Sequence, residues 1–578
     1  MAGETKGKRI DETVVAMRLA EAFRRHGVDH VFGQSIPSAF HLAAPHVGIR
    51  QIVYRTENAG GTMADGYARV TRKVGVVTAQ NGPAATLLVP PLAEALKASV
   101  PMVALVQDVA RSQTDKNAFQ EFDHLRLFDS CAKWVRRIED ASRIDDYVDM
   151  AFVAATSGRP GPAVLIVPVD LLIEAAGPAP LVPRKNQYGM APLDRPTPDA
   201  AAIATAARLL AEAKAPLVIA GGGVHGSDAS AELVRLQETF HLPVATTVMG
   251  KGTVSEHHPL SLGVVGYFMG EGGRSRDLRP LIDNADVVLL IGNRTNQNGT
   301  DSWSLYPNAA TFIHLDVDPM EIGRNYEAVR LVGDARRGIR ALGEAMAGLD
   351  LSRRVAARPA IEATIAAARA GWESLTARVR TQDAVPIRPE RVMAVIDAAL
   401  TPETIVTTDA SYSSIWAANY LTAAEAGARF ITPRGLAGLG WGLPLAIGAS
   451  LARPGAPVIT IVGDGGFGHV WSELETLKRL DLPVITIVLN NQILGYQKDS
   501  EDALYGEHTD AVYFAPVDHA KIAEACGIRG IRVEDGAALA GVLAEALASG
   551  KPAVIDVLTD SGAQPPVTVY AGKFASPF

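Results

Sequence analysis

The chain has 578 residues, 48% of them hydrophobic and 20% charged. Those figures describe a well-packed globular protein of about three or four domains and exclude a disordered, collagen-like or coiled-coil chain. Its 55 Lys+Arg against 63 Asp+Glu leave a net charge of −8 with no basic block, which disfavours nucleic acid as a partner. No apolar run reaches the ~18 residues that span a bilayer, so no membrane partner is expected. The opening stretch MAGETKGKRIDETVV has no hydrophobic signal region, and the expected location is the cytoplasm. Cys131 and Cys526 are too few for a disulfide framework or a metal cluster and read as core thiols.

From Glu12 to His26, Val14, Val15, Leu19, Ala22 and Phe23 recur at helical spacing, and Gly27 supplies a stop. The short VDHVFG then reads as a buried strand. The same alternation returns at GVVTAQNGP (75–83), PMVALVQD (101–108) and PAVLIVPVD (162–170). Short apolar strands alternating with helices predict parallel sheets covered on both faces. A proline-rich stretch at 176–200 and a second at about 350–388, which begins as a charged Ala-rich helix, read as linkers. The expectation is α/β: three doubly wound parallel-sheet domains at 1–180, 195–345 and 385–578. In the middle piece, PLVIAGGGVHG holds a G-x-G-x-x-G at 221–226 after a strand. The following LPVATTVMG ends without the acid that would hold a ribose, so the dinucleotide signal is weak.

The most informative stretch is VITIVGDGGFGHVWSELETLKRLDLPVITIVLNN (458–491). A strand ends at Gly463-Asp464-Gly465-Gly466. Phe467, Val470, Trp471, Leu474, Leu477 and Leu480 then keep the spacing of one amphipathic helix. A second strand ends in Asn490-Asn491. Both polar tips emerge at the sheet edge where α/β folds bind ligands. A carboxylate and a carboxamide oxygen there suit a hard Mg²⁺ or Ca²⁺ with open positions for phosphate. Upstream, RGLAGLGWGLPLAIGA (434–449) sets Gly435, Gly438, Gly440 and Gly442 before a helix, where backbone can approach a ligand.

GDG followed by NN, with Asp464 and Asn491 27 residues apart, resembles the signature of thiamine-diphosphate-dependent enzymes. The resemblance implies that Asp464, Asn491 and the carbonyl of Ile493 hold the metal that anchors the diphosphate. Gly463, Gly465, Gly466, Leu494 and Gly495 then line the cofactor, and Gly438 and Leu439 match the segment that props its bent shape. YRTENAGGTMADGYARVT (54–71) resembles the segment that carries the family's catalytic acid, which falls on Glu57. There a carboxyl hydrogen-bonded to the aminopyrimidine helps create the carbanion nucleophile. Asp65 and Arg69, four apart on the same helix, read as a structural pair. Asn81-Gly82 matches a cofactor-facing turn. Phe119-Gln120-Glu121 matches the segment whose glutamine, Gln120, reaches substrate-derived groups. The family builds its site from two subunits, implying a homodimer at least, with a homotetramer expected.

The similarity runs from about residue 10 to 565 and is closest to the acetolactate (acetohydroxyacid) synthase group. That group allows a structural FAD in the middle domain, where HLDVDPMEIGRN (314–325) matches. The departures concern the acceptor pocket. GNRTNQN (292–298) has Asn298 in place of an arginine that grips an acceptor carboxylate. Ser500 stands where biosynthetic synthases have tryptophan, removing a wall. Gln34-Ser35-Ile36-Pro37 replaces a glycine-rich turn, and Thr56 replaces histidine. His469 reads as an ordinary helix-start residue. The expected function is a thiamine-diphosphate- and Mg²⁺-dependent 2-oxoacid decarboxylase and carboligase of acetolactate-synthase type, acting on 2-oxoacids or aldehydes. The alternative is a lyase or simple decarboxylase of benzaldehyde-lyase or hydroxyacyl-CoA-lyase type. A flavin redox enzyme would need a catalytic flavin environment that the sequence does not offer.

Overall fold

The apolar runs are strands, and they sort into three six-stranded sheets in which every pair is parallel. The computed structural model describes residues 13–177 and 184–574. The first sheet contains β1 (His30–Phe32), β2 (Arg50–Ile52), β3 (Gly75–Ala79), β4 (Met102–Asp108), β5 (Trp134–Arg137) and β6 (Pro162–Pro168). The second contains β7 (Pro216–Ala220), β8 (Val244–Thr246), β9 (Ser261–Val264), β10 (Val287–Ile291), β11 (Thr311–Asp316) and β12 (Ala328–Val332). The third contains β13 (Ile405–Thr408), β14 (Arg429–Ile431), β15 (Val458–Gly463), β16 (Val484–Asn490), β17 (Arg529–Val533) and β18 (Ala553–Leu558).

The first and third sheets share one order, β2-β1-β3-β4-β6-β5 and β14-β13-β15-β16-β18-β17; the second runs β12-β11-β10-β7-β8-β9. Both faces are covered, which explains why the strands are apolar throughout rather than alternating. On β7, Val218 and Ala220 join one core cluster while Leu217 and Ile219 join the other. Each sheet has a central place where the strand order reverses: between β1 and β3, between β7 and β10, and between β13 and β15. Open α/β sheets bind ligands at the carboxyl ends of such pairs.

The chain folds as two compact units. One holds the first sheet together with 434–436 and 447–453; the other holds the second and third sheets. The helix expected to begin the second linker fills most of it, running over Ser352–Thr381 for 30 residues with Ile365, Ala368 and Trp372 buried along it. Three expectations need correction. The single helix expected after Asp464 is two, Asp464–Phe467 and Glu473–Leu480. Gly468 and the turn around the exposed His469 interrupt it, so His469 starts no helix. Cys131 is buried, but Cys526 is half-buried, since its helix ends there at the surface. Residues 178–183 of the first linker lie outside the described residues. Among those described, no helix is long and apolar enough to cross a membrane.

Candidate functional site

In the second unit the polar strand ends of the third sheet meet in a cleft of about 560 Å³, open mouth included. Asp464 opens the short helix after β15 and is 8% exposed. Its Oδ2 accepts the Gln492 N–H at 2.7 Å. Burial pushes its carboxyl up to about 6, against the opposing pull of the Gln492 and Gly465 amides. Gln492 has φ +62°, a left-handed turn immediately after Asn491. Asn491, Ile493, Leu494 and Gly495 line the cleft beside Gly463, Asp464, Gly465 and Gly466. Asn490, by contrast, turns inward, and its amide donates to Asp556 at 2.9 Å.

Leu439 also lines this cleft, and the turn that carries it is held by a residue the sequence reading passed over. Asp409, just past β13, is 1% exposed and accepts N–H groups from Gly440 at 2.9 Å and Trp441 at 3.1 Å. Gly440 takes φ +82°, a left-handed conformation that suits glycine. Gly438 packs beside the Trp441 ring, outside the cleft lining. The available signal for Asp409 was an acid at the end of the apolar run TIVTTD. It reads like any strand-end acid until the turn 31 residues away is placed on it.

At the far side of Gly495 lies a polar cluster. The Tyr412 hydroxyl donates to the buried Asp499 carboxylate. The Tyr570 hydroxyl lies 3.3 Å from that of Tyr412 and 3.4 Å from Ser500 Oγ. The expected gap at Ser500 is therefore backed by a tyrosine from the C-terminal segment. Asn298 is exposed in the turn Asn298–Thr300, and its carbonyl accepts the Tyr267 N–H at 2.9 Å.

The first unit carries the remaining candidates. Glu57 is the first residue of helix Glu57–Thr71, whose capping residue Thr56 accepts the Ala59 N–H at 3.3 Å. It is half-buried, and burial raises its carboxyl above the usual range although its own helix-end amide opposes this. The Asn81 amide donates to the carbonyls of Phe119 at 3.2 Å and Gln120 at 3.0 Å. Gln120 takes φ +60°, and its Oε1 accepts from Gln80 at 2.8 Å. Asp65 and Arg69 pair at 2.5 Å. Beside them the buried Glu94 accepts the N–H groups of Gly435 at 2.7 Å and Leu436 at 2.5 Å, from a segment 341 residues on.

The G-x-G-x-x-G of the second sheet has a different use. The Gly221 N–H donates to Ile291 at 2.8 Å and the Gly223 N–H to Gly292 at 3.1 Å, so these amides face protein rather than a phosphate.

Family comparisons reach part or all of each of the three sheets. Residues 13–127 match the thiamine pyrophosphate enzyme N-terminal TPP binding domain, 203–342 the central domain and 409–557 the C-terminal TPP binding domain. "Probable acetolactate synthase large subunit" of Methanococcus aeolicus is 35% identical, covering 90% of this chain and 87% of its own. The acetolactate synthase large subunit of Parasynechococcus marenigrum is 34% identical, covering 94% and 87%. The mitochondrial acetolactate synthase of Schizosaccharomyces pombe is 30% identical, covering 92% and 81%.

Proposed function

We propose that this chain, which belongs to the thiamine pyrophosphate enzyme family, is a Mg²⁺-dependent enzyme of acetolactate-synthase type. It takes a 2-oxoacid, releases CO₂ and passes the remaining acyl group to a second carbonyl compound. One observation carries the reading: Asp464, Asn491 and Ile493 line one cleft beside Leu439 and the Gly463–Gly466 turn. A buried carboxylate pushed up toward neutrality is a strained group that a divalent cation relieves, and its neighbours offer further hard oxygens. The donor set fits Mg²⁺.

Thiamine diphosphate, when bound, supplies a nucleophilic carbon and an electron sink for decarboxylation. The chain's own residues do the rest. Asp464, Asn491 and the Ile493 carbonyl hold the metal that neutralises the diphosphate. Leu439, held through Asp409, gives the cofactor its apolar support. Glu57 presents its carboxyl to the aminopyrimidine, a proton-handling task that its burial-raised proton affinity favours. Asn81 and Gly82 meet the cofactor, and Gln120 meets the substrate-derived group. The minimum active assembly of this reading is a homodimer, with a homotetramer as the expected form. FAD has no part in the reaction; flavin absorbance of the purified protein decides whether it resides in the second sheet.

The acceptor distinguishes this chain from a biosynthetic synthase. Asn298 presents a neutral carboxamide where a guanidinium would bind a carboxylate, a loss of about 1.5–3 kcal/mol. An aldehyde or a proton then competes with a second 2-oxoacid, and this favours the lyase or simple decarboxylase as the second reading. The test supplies pure protein with thiamine diphosphate, Mg²⁺ and a panel of 2-oxoacids, with and without aldehydes, and follows CO₂ and products. CO₂ release with aldehyde-derived hydroxyketones supports the proposal; no release from any 2-oxoacid overturns it.

A further inference from the structure

The turn Asn81–Gly82 is clamped by a histidine for which the reading above has no use. His124 begins helix His124–Asp129 and is 2% exposed. The Gly82 N–H donates to His124 Nε2 at 3.0 Å, so this nitrogen carries no proton in the arrangement. On its other side His124 Nδ1 lies 3.3 Å from Asp108 Oδ1, an ion-pair contact without hydrogen-bond geometry. Arg137 Nε lies 2.9 Å from the other oxygen of Asp108 as the second ion-pair contact. Burial works upward on the Asp108 carboxyl, but His124, the Val109 amide and Arg137 outweigh it and keep the group below the usual carboxylate range. A negative charge beside Nδ1 favours the tautomer that keeps its proton there and leaves Nε2 to accept.

On its other side Gly82 meets Gln120. Gly82 takes φ +67°, and a Cβ there would stand 2.7 Å from the Gln120 carbonyl oxygen. The Asn81 amide reaches the Phe119 and Gln120 carbonyls. The Gly82 peptide is thus held between a fixed acceptor and the Gln120 backbone. If the acceptor is lost, a buried N–H is left without a partner, and the simplest relief is rotation of that peptide. Rotation would carry Asn81 and Gln120 with it.

We propose that His124 is a positioning residue: set beside Asp108, it fixes the Gly82 amide and through it the placement of Asn81 and Gln120 toward cofactor and substrate. The proposal rests on the roles given above to Asn81, Gly82 and Gln120. It is tested on the full chain with His124→Leu, which removes the acceptor, and His124→Gln, whose Oε1 stands where Nε2 stood. Amide hydrogen exchange of peptides spanning Gly82, thiamine diphosphate affinity, and kcat and KM for the 2-oxoacid are measured together. In His124→Leu the Gly82 amide should exchange at least ~10-fold faster and kcat should fall about 10-fold or more, with KM changed less than 3-fold. His124→Gln should restore both, which a space-filling role would not predict. If His124→Leu does not fold, His124→Asn replaces it, since its polar group sits at the Nδ1 position and leaves Gly82 without an acceptor. Unchanged exchange, or faster exchange without loss of kcat, overturns the inference. A wild-type protein that decarboxylates nothing overturns the functional reading instead, and the exchange comparison still decides the clamp.

Discussion

Two glycine-rich turns of this chain look alike in sequence and have opposite fates. Gly221-Gly222-Gly223 follows β7, and Gly463-Asp464-Gly465-Gly466 begins at the last residue of β15; each opens a short helix at or beside the place where its sheet reverses order. At the first, a Cβ on Gly223 would stand 2.6 Å from the Gly292 Cα, so two backbones fill the crevice and bond to each other. At the second, a Cβ on Gly463 would meet nothing within 4 Å, and the turn borders the cleft. A glycine pattern says that something comes close. Whether that is a ligand or another strand's loop is decided elsewhere in the chain, here at Gly292.

The largest effect should come from the one charged residue that separates the two turns. Asp464→Ala should weaken thiamine diphosphate binding in the presence of Mg²⁺ by at least about 100-fold while leaving the fold intact. Calorimetric titration checks this, and unchanged affinity would remove Asp464 from the metal site. Next in size is a crossed pair of substitutions. Gly223→Ala drives a methyl into backbone and should cost about 2–3 kcal/mol of stability. Gly463→Ala, at φ −83° and with open space, should change stability by less than about 0.5 kcal/mol and express itself in cofactor affinity. Equal denaturation midpoints for the two variants would erase the distinction.

The smallest effect is on pH. His314 on β11 is 1% exposed and bonds through Nε2 to the Asn293 carbonyl at 2.8 Å, beside the loop that fills the Gly221 crevice. Burial lowers its pKa to about 4, with Arg330 adding to the shift and the Asn293 bond opposing it. The unfolded chain takes up the proton first. The contribution of neutral His314 is therefore complete above about pH 6.5 and is lost as pH falls toward 4. About 1–2 kcal/mol should be gone by pH 5, and His314→Gln should flatten that part of the stability curve in denaturant titrations. An unchanged slope would mean that the loop at Gly292 does not depend on this ring.

Much of the fold was legible because doubly buried strands are short, apolar and followed by helices. Periodicity could not see the interruption at Gly468, since Phe467, Val470, Trp471 and Leu474 keep helical spacing across it while Phe467, Val470 and Leu474 remain buried. The cleft residues Asp464 and Asn491 were legible because both strands lie in one βαβ unit, while Ile493 came only from the family resemblance. Asp409, Tyr570 and His124 were not, because each acts on a residue that the sequence places far away. Asp409 grips Gly440, Tyr570 backs Ser500, and His124 holds Gly82.

The buried Glu94 has a consequence for how the chain is made. Its two amide donors, at Gly435 and Leu436, are synthesised 341 and 342 residues later. At ~5–20 residues per second, roughly 20–70 s pass on the ribosome before those two amides can reach it. Until then Arg69, 3.5 Å from it, is the cation at hand. The helix face where Gly448 packs against Met63 and Tyr67 is open for the same interval. A chain cut after the first sheet would carry every strand of that sheet and still lack the piece that closes it.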